Sequence, residues 1–143
     1  MNLDDRHMRA AMDLAYENVE AGGRPFAAVV VKDGRIIAKA ANESHISADP
    51  THHAEFLAVH RAGIALDTRE LTDCIVYATG QPCPFCMATM SLYKVKGAVY
   101  GYSREDFAKF DTPPHYPSVE LKQLRPEDNS DLYAHWKRKK ESL

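Results

Sequence analysis

The chain has 143 residues, 45% of them hydrophobic, which is about one domain in length and enough to fill a single core. Its 18 basic and 20 acidic side chains leave a net charge of −2, a balance that does not suggest the broad basic footprint of a nucleic-acid protein and favours a small-molecule partner. No run approaches the roughly 18 apolar residues of a membrane helix, and the N-terminus MNLDDRHMRAAMDLAYENV is charged and amphipathic, unlike a signal peptide, so the chain reads as cytoplasmic with no membrane partner.

Leu3, Met8, Ala11, Met12, Ala15 and Val19 recur at helical spacing and predict an amphipathic helix over residues 4 to about 21, stopped by Gly22 and Gly23. Two apolar runs around Lys32-Asp33-Gly34 predict paired strands over 26–32 and 35–41, because Asp-Gly suits the positive backbone angles of a tight hairpin turn. After the polar loop ESHISADPT, Pro50 punctuates the start of a helix over about 53–65. CIVYATG is a dense strand run containing Cys74, which reads as a buried strand residue; CPFCMATMSLYKV is helix-compatible from Cys83, and GAVYGYS is a further strand.

A strand, a helix of about a dozen residues and another strand make a βαβ pattern. With the hairpin in front, it predicts a three-layer α/β/α domain around a mixed sheet of about five strands. Pro113, Pro114, Pro117 and Pro126 break up the remainder before a final helix, SDLYAHWKRKKESL, capped by Ser130 or Asp131. No internal repeat, linker or low-complexity segment interrupts this single domain.

Three cysteines make an odd count, and Cys83-x-x-Cys86 in a cytosolic chain points to metal or redox chemistry more than to a structural disulfide. Placed at a helix start, the two sulfurs can face one side, where the positive helix end stabilises thiolates. A catalytic zinc site commonly takes three protein ligands and leaves the fourth position to water or hydroxide, and Cys₂His is one known set. His53 supplies the missing imidazole if the strands feeding the two helices are neighbours, with His52 as its rival. Glu55 lies two residues on, and inside a helix the pair would point about 200° apart. Sharing one pocket therefore requires His53 to sit at the irregular first turn, with Glu55 a proton shuttle and not a ligand. A redox pair, two buried thiols, or a closed four-ligand zinc module without catalysis are the competing readings.

HAE at 53–55 and PCPFC at 82–86 match the H-x-E and P-C-x-x-C signature of zinc-dependent base deaminases. Over roughly residues 5–102 the chain resembles the cytidine deaminase-like superfamily, in the branch holding guanine, cytosine and tRNA adenosine deaminases. The resemblance implies one Zn²⁺ per chain on His53, Cys83 and Cys86, with Glu55 catalytic. RPFAAVVVKDGRIIAKAAN resembles the family's Pro-Phe-Gly-Ala hairpin, with Ala27 replacing the glycine. It implies that Asn42 holds substrate, although asparagine also commonly closes a strand.

Phe26, Ala54 and Trp136 join the implied substrate-binding residues, packing being the alternative role for Phe26 and Trp136. Gln81 stands where relatives usually carry glutamate. KFDTPPHY resembles the Phe-Asp segment of guanine deaminases, making Asp111 a second proton shuttle, and LYAHW resembles their late tryptophan. The resemblance thus implies hydrolysis of guanine to xanthine and ammonia. The wobble adenosine of a tRNA, cytosine and isocytosine are the alternatives. A tRNA would demand a basic surface, for which Lys94, Lys96 and the KRKK run at 137–140 are candidates. It further implies a homodimer in which residues 103–143 cap or exchange between subunits.

Overall fold

The computed structural model describes residues 3–129 and 131–142, in two compact units, Met1–Pro113 and Pro114–Leu143. The first unit begins with α1 (Asp5–Glu20), whose start is fixed by Asp4, its carboxylate accepting from the Arg6 amide at 2.9 Å. The helix ends where Gly22 takes φ +92 and Gly23 N–H donates to Asn18 O at 2.8 Å, so the Gly-Gly stop acts as expected. Its buried stripe is His7, Ala11 and Ala15, one every four residues. Leu3 and Val19, expected on that face, are exposed at its two ends; His7 takes an inward position and meets Tyr77 edge-on at 5.4 Å.

Strands β1 (Ala27–Lys32) and β2 (Arg35–Ala41) pair antiparallel, with Lys32 opposite Arg35 across the two-residue turn. Asp33 at φ 51 and Gly34 at φ 75 both lie in the left-handed region, which a turn of this hand requires. α2 (Ala54–Ala65), β3 (Cys74–Gly80), α3 (Pro84–Leu92), β4 (Gly97–Tyr102) and α4 (Arg104–Ala108) follow.

The sheet runs β2-β1-β3-β4, with β1 antiparallel to both neighbours and β3 parallel to β4. Inward residues alternate as a doubly covered sheet demands. Val29, Val31 and Tyr77 face Ala11 of α1, whereas Ala28, Val30, Val76 and Ala78 share the other core with Ala54, Leu57 and Ala58 of α2 and Met90 of α3. Cys74 is buried in β3, as expected.

The sheet has four strands among the described residues, not about five. Residues 112–126, which include Pro113, Pro114 and Pro117, form no ladder, and proline has no N–H to give one. The second unit carries a 3₁₀ turn, Glu127–Asn129, and α5 (Leu132–Glu141). Asp131 occupies the N-cap of α5 without a side-chain capping bond; Ser130 lies outside the described residues. No helix of the described residues is long and apolar enough to cross a membrane.

Candidate active site

Topology brings the two motifs together in a way the neighbouring-strand expectation did not foresee. β2 and β3, which feed α2 and α3, are separated by β1. Both are antiparallel to β1, so they run parallel to each other and deliver α2 and α3 to the same sheet edge. His53 is the N-cap of α2 with extended angles (φ −72, ψ 151), and Cys83 is the N-cap of α3 (φ −77, ψ 168). The required irregular first turn is therefore present: His53 stands outside the helical spiral while Glu55 belongs to it.

Cys83 Sγ and Cys86 Sγ lie 3.5 and 3.6 Å from His53 Nδ1, and the three ligand atoms all fall within 4.8 Å of one another. Zinc bonds of about 2.3 Å to sulfur and about 2.05 Å to nitrogen, spread at a tetrahedral angle, put S and N about 3.6 Å apart. The residues fit a single zinc ion by distance and by ligand softness. Among the described residues no other histidine, cysteine or carboxylate joins this group, which leaves a fourth position open. His52 stays outside it, its Nε2 3.1 Å from Asp49.

The Cys86 amide donates to Cys83 Sγ at 3.4 Å, so the start of α3 directs an N–H at one of the sulfurs. Bonding to Cys83 raises the basicity of His53. The Cys86 thiol is pushed above its usual range by its bond with Cys83, by burial and by the charge of Glu55. Glu55 is 7% exposed, and its pKa is raised chiefly by burial, against a hydrogen bond from the Cys86 thiol that favours the carboxylate. A dication held by the three ligands would pull all these protons off, since it becomes the largest charge in the site.

The profile of the cytidine and deoxycytidylate deaminase zinc-binding region matches residues 1–102. The chain belongs to this deaminase family. The guanine deaminase of Bacillus subtilis (strain 168) is 40% identical over 116 residues, which cover 79% of this chain and 74% of that protein. The tRNA-specific adenosine deaminase of Aquifex aeolicus (strain VF5) is 36% identical over 93 residues, covering 65% of this chain and 62% of that protein. The X-ray structure of guanine deaminase from Bacillus subtilis superposes with a TM-score of 0.83 at 33% identity, covering 96% of this chain and 95% of that one. Zinc is thus the metal this deaminase domain is built to bind.

Around the metal ligands the deaminase adds Phe85 and Phe56, for which the sequence predicts no site role. Phe85 meets His53 edge-on at 5.9 Å and packs against Phe56 at 5.2 Å, which walls one side of the imidazole. Ala54 is fully buried at the first turn of α2. Asn42, 5% exposed, receives hydrogen bonds on Oδ1 from the Ser44 amide at 2.9 Å and from Ser44 Oγ at 2.6 Å. Its amide is thereby oriented, and Nδ2 makes no hydrogen bond among the described residues.

Phe26 packs on Phe107 of α4 at 5.4 Å, with the Arg24 guanidinium over both rings. Gln81 holds α4 in place: its Oε1 accepts from the Arg104 backbone N–H at 2.9 Å while its backbone N–H donates to Tyr102 O at 2.8 Å. A neutral amide oxygen thus does here what a carboxylate oxygen could do equally. Asp111 lies exposed just past α4, its Oδ1 accepting from the Thr112 amide at 2.8 Å, and no hydrogen bond among the described residues joins it to the metal ligands. Trp136 lies on α5 of the second unit, 60% exposed, with Lys140 Nζ 4.5 Å from its ring centre.

Proposed function

We propose that this deaminase hydrolyses the amino group of free guanine, releasing xanthine and ammonia. The observation that carries the reading is the buried Glu55 carboxyl beside a three-ligand centre with an open position. The 40% identity to a guanine deaminase over most of the chain supports the choice of ring. Zinc, when bound, supplies a water with a pKa of about 7 and so a nucleophile at neutral pH.

The protein's own residues do the rest. Glu55 takes the proton released as the water oxygen bonds to the ring carbon bearing the amine, then returns protons to a ring nitrogen and to the departing amine. Burial raises its pKa, which favours its holding the proton between the two halves of that cycle. The oriented Asn42 Nδ2 is a donor for an acceptor on the ring, and Phe26 offers an aromatic wall. Asp111 is a second proton carrier and Trp136 a stacking face in this reading. One water is consumed and one ammonia released per turnover.

The second unit completes the proposal. Across residues 114–142 every side chain that is described is exposed, among them Leu121, Leu124, Tyr133 and Trp136, so this segment has no core of its own. We assign it to capping the pocket of a partner copy in a cytoplasmic homodimer. Deleting residues 130–143 should raise KM about tenfold or more, as expected if an aromatic stack worth about 1–3 kcal/mol is removed; unchanged steady-state kinetics would sink the capping role.

A wobble-adenosine reading rests on the similarity to tRNA deaminases and on the exposed basic run of α5. Lys94, a candidate for that basic surface, is already paired with Glu70 at 3.0 Å. Ammonia release from guanine, adenine, cytosine, isocytosine and a tRNA anticodon stem-loop separates these. Turnover of guanine with formation of xanthine is the expected result, whereas activity confined to the stem-loop would move the assignment to tRNA editing.

A further inference from the structure

Arg24 is exposed and stacks on Phe26, and among the described residues no hydrogen bond or ion pair engages its side chain. Its carbonyl is tied into the pocket wall, accepting from Phe26 N–H at 2.9 Å and from Asn18 Nδ2 at 2.8 Å. The same Asn18 amide donates to Asn42 O at 3.0 Å, and Asn42 N–H donates to Phe26 O at 2.9 Å. The backbones of Arg24, Phe26 and Asn42 are thereby locked side by side.

The Arg24 guanidinium carbon lies 5.6 Å from the centre of the Phe26 ring and 5.9 Å from that of Phe107. Stacking of this kind holds a guanidinium in place at little further entropic cost. An exposed planar fork of five donors thus lies over Phe26, the proposed aromatic wall, with no polar partner among the described residues.

Guanine carries two adjacent acceptors, O6 and N7, on the edge that an arginine fork matches in a bidentate pair. Adenine shows a donor at the first of these positions and would set N–H against N–H. We propose that Arg24 reads the O6 and N7 edge of the purine and selects the 6-oxo ring. This rests on the guanine reading and goes beyond it, naming the residue that makes the choice. A Cβ added at neighbouring Gly23 would come within 2.6 Å of the Asn18 and His45 side chains, which would have to shift to admit it.

The test compares kcat/KM for guanine and for 2-aminopurine, which keeps the 2-amino group and lacks the 6-oxo group, in zinc-matched wild type, Arg24→Ala and Arg24→Lys. Arg24→Ala should lose about 5- to 150-fold on guanine, the range of one bidentate base contact, while 2-aminopurine changes less than about twofold. Arg24→Lys should recover little, because an ammonium has charge without the fork. Inhibition by hypoxanthine gives the same readout through binding alone, its Ki rising in Arg24→Ala by the factor lost on guanine. Equal losses on both substrates would reduce Arg24 to packing on Phe26, and an unchanged hypoxanthine Ki or a loss confined to an anticodon stem-loop would equally overturn the inference. Wild type inert toward guanine would instead bring down the guanine reading itself, and this inference with it.

Discussion

Glu55→Gln should bind about one zinc per chain and turn over substrate about 10²- to 10⁴-fold more slowly than wild type, the span that a positioned proton-transfer group contributes. The amide is nearly isosteric with the carboxyl and fills the same buried space. The three ligand atoms belong to other residues, so the metal should stay. What the variant loses is the capacity to accept a proton and return it, on which both halves of the reaction depend. Zinc analysis and ammonia release on the same sample check the two statements together. Near-normal turnover would assign the proton transfer to another group, with Asp111 the first to try.

Cys86→Ala has the second large effect. Cys86 is fully buried, its Sγ 3.6 Å from His53 Nδ1, and its removal leaves two protein ligands at the centre. Affinity for zinc should fall by more than the 10- to 100-fold that loss of a mere outer-shell partner costs, and turnover should vanish with the metal. Because metal binding is linked to folding, chelation should lower the Tm of wild type and leave that of Cys86→Ala unmoved. Competition against a chromophoric chelator measures the affinity directly. An alanine variant that held zinc at wild-type affinity would show that Cys86 is not a ligand.

The two signatures were legible because they are local. Asp33-Gly34 announced the hairpin, and H-x-E with P-C-x-x-C announced both helix starts, since the residues that need extended angles are the ones that end up as N-caps. Strand order was not legible. Periodicity says that β2 and β3 exist but not that β1 lies between them, and the site assembles because their directions agree. α4 went unread although Ser103 and Asp106 form a capping box, because a five-residue helix is too short to show a period. Asn18 belongs to no motif, Arg24 only opens the hairpin motif and Gln81 stands out only as a departure from relatives; their roles come from hydrogen bonds and stacking to residues brought near only by the fold.

The central claim is an open zinc centre on His53, Cys83 and Cys86, and X-ray absorption at the zinc edge of the purified wild-type protein tests it most directly. The expected spectrum has two sulfurs at about 2.3 Å and two nitrogen or oxygen neighbours at about 2.0–2.1 Å, with the outer-shell signature of one imidazole. A third sulfur, which only Cys74 could supply, or a second imidazole would mean a closed structural centre and would contradict the deaminase chemistry derived for this site.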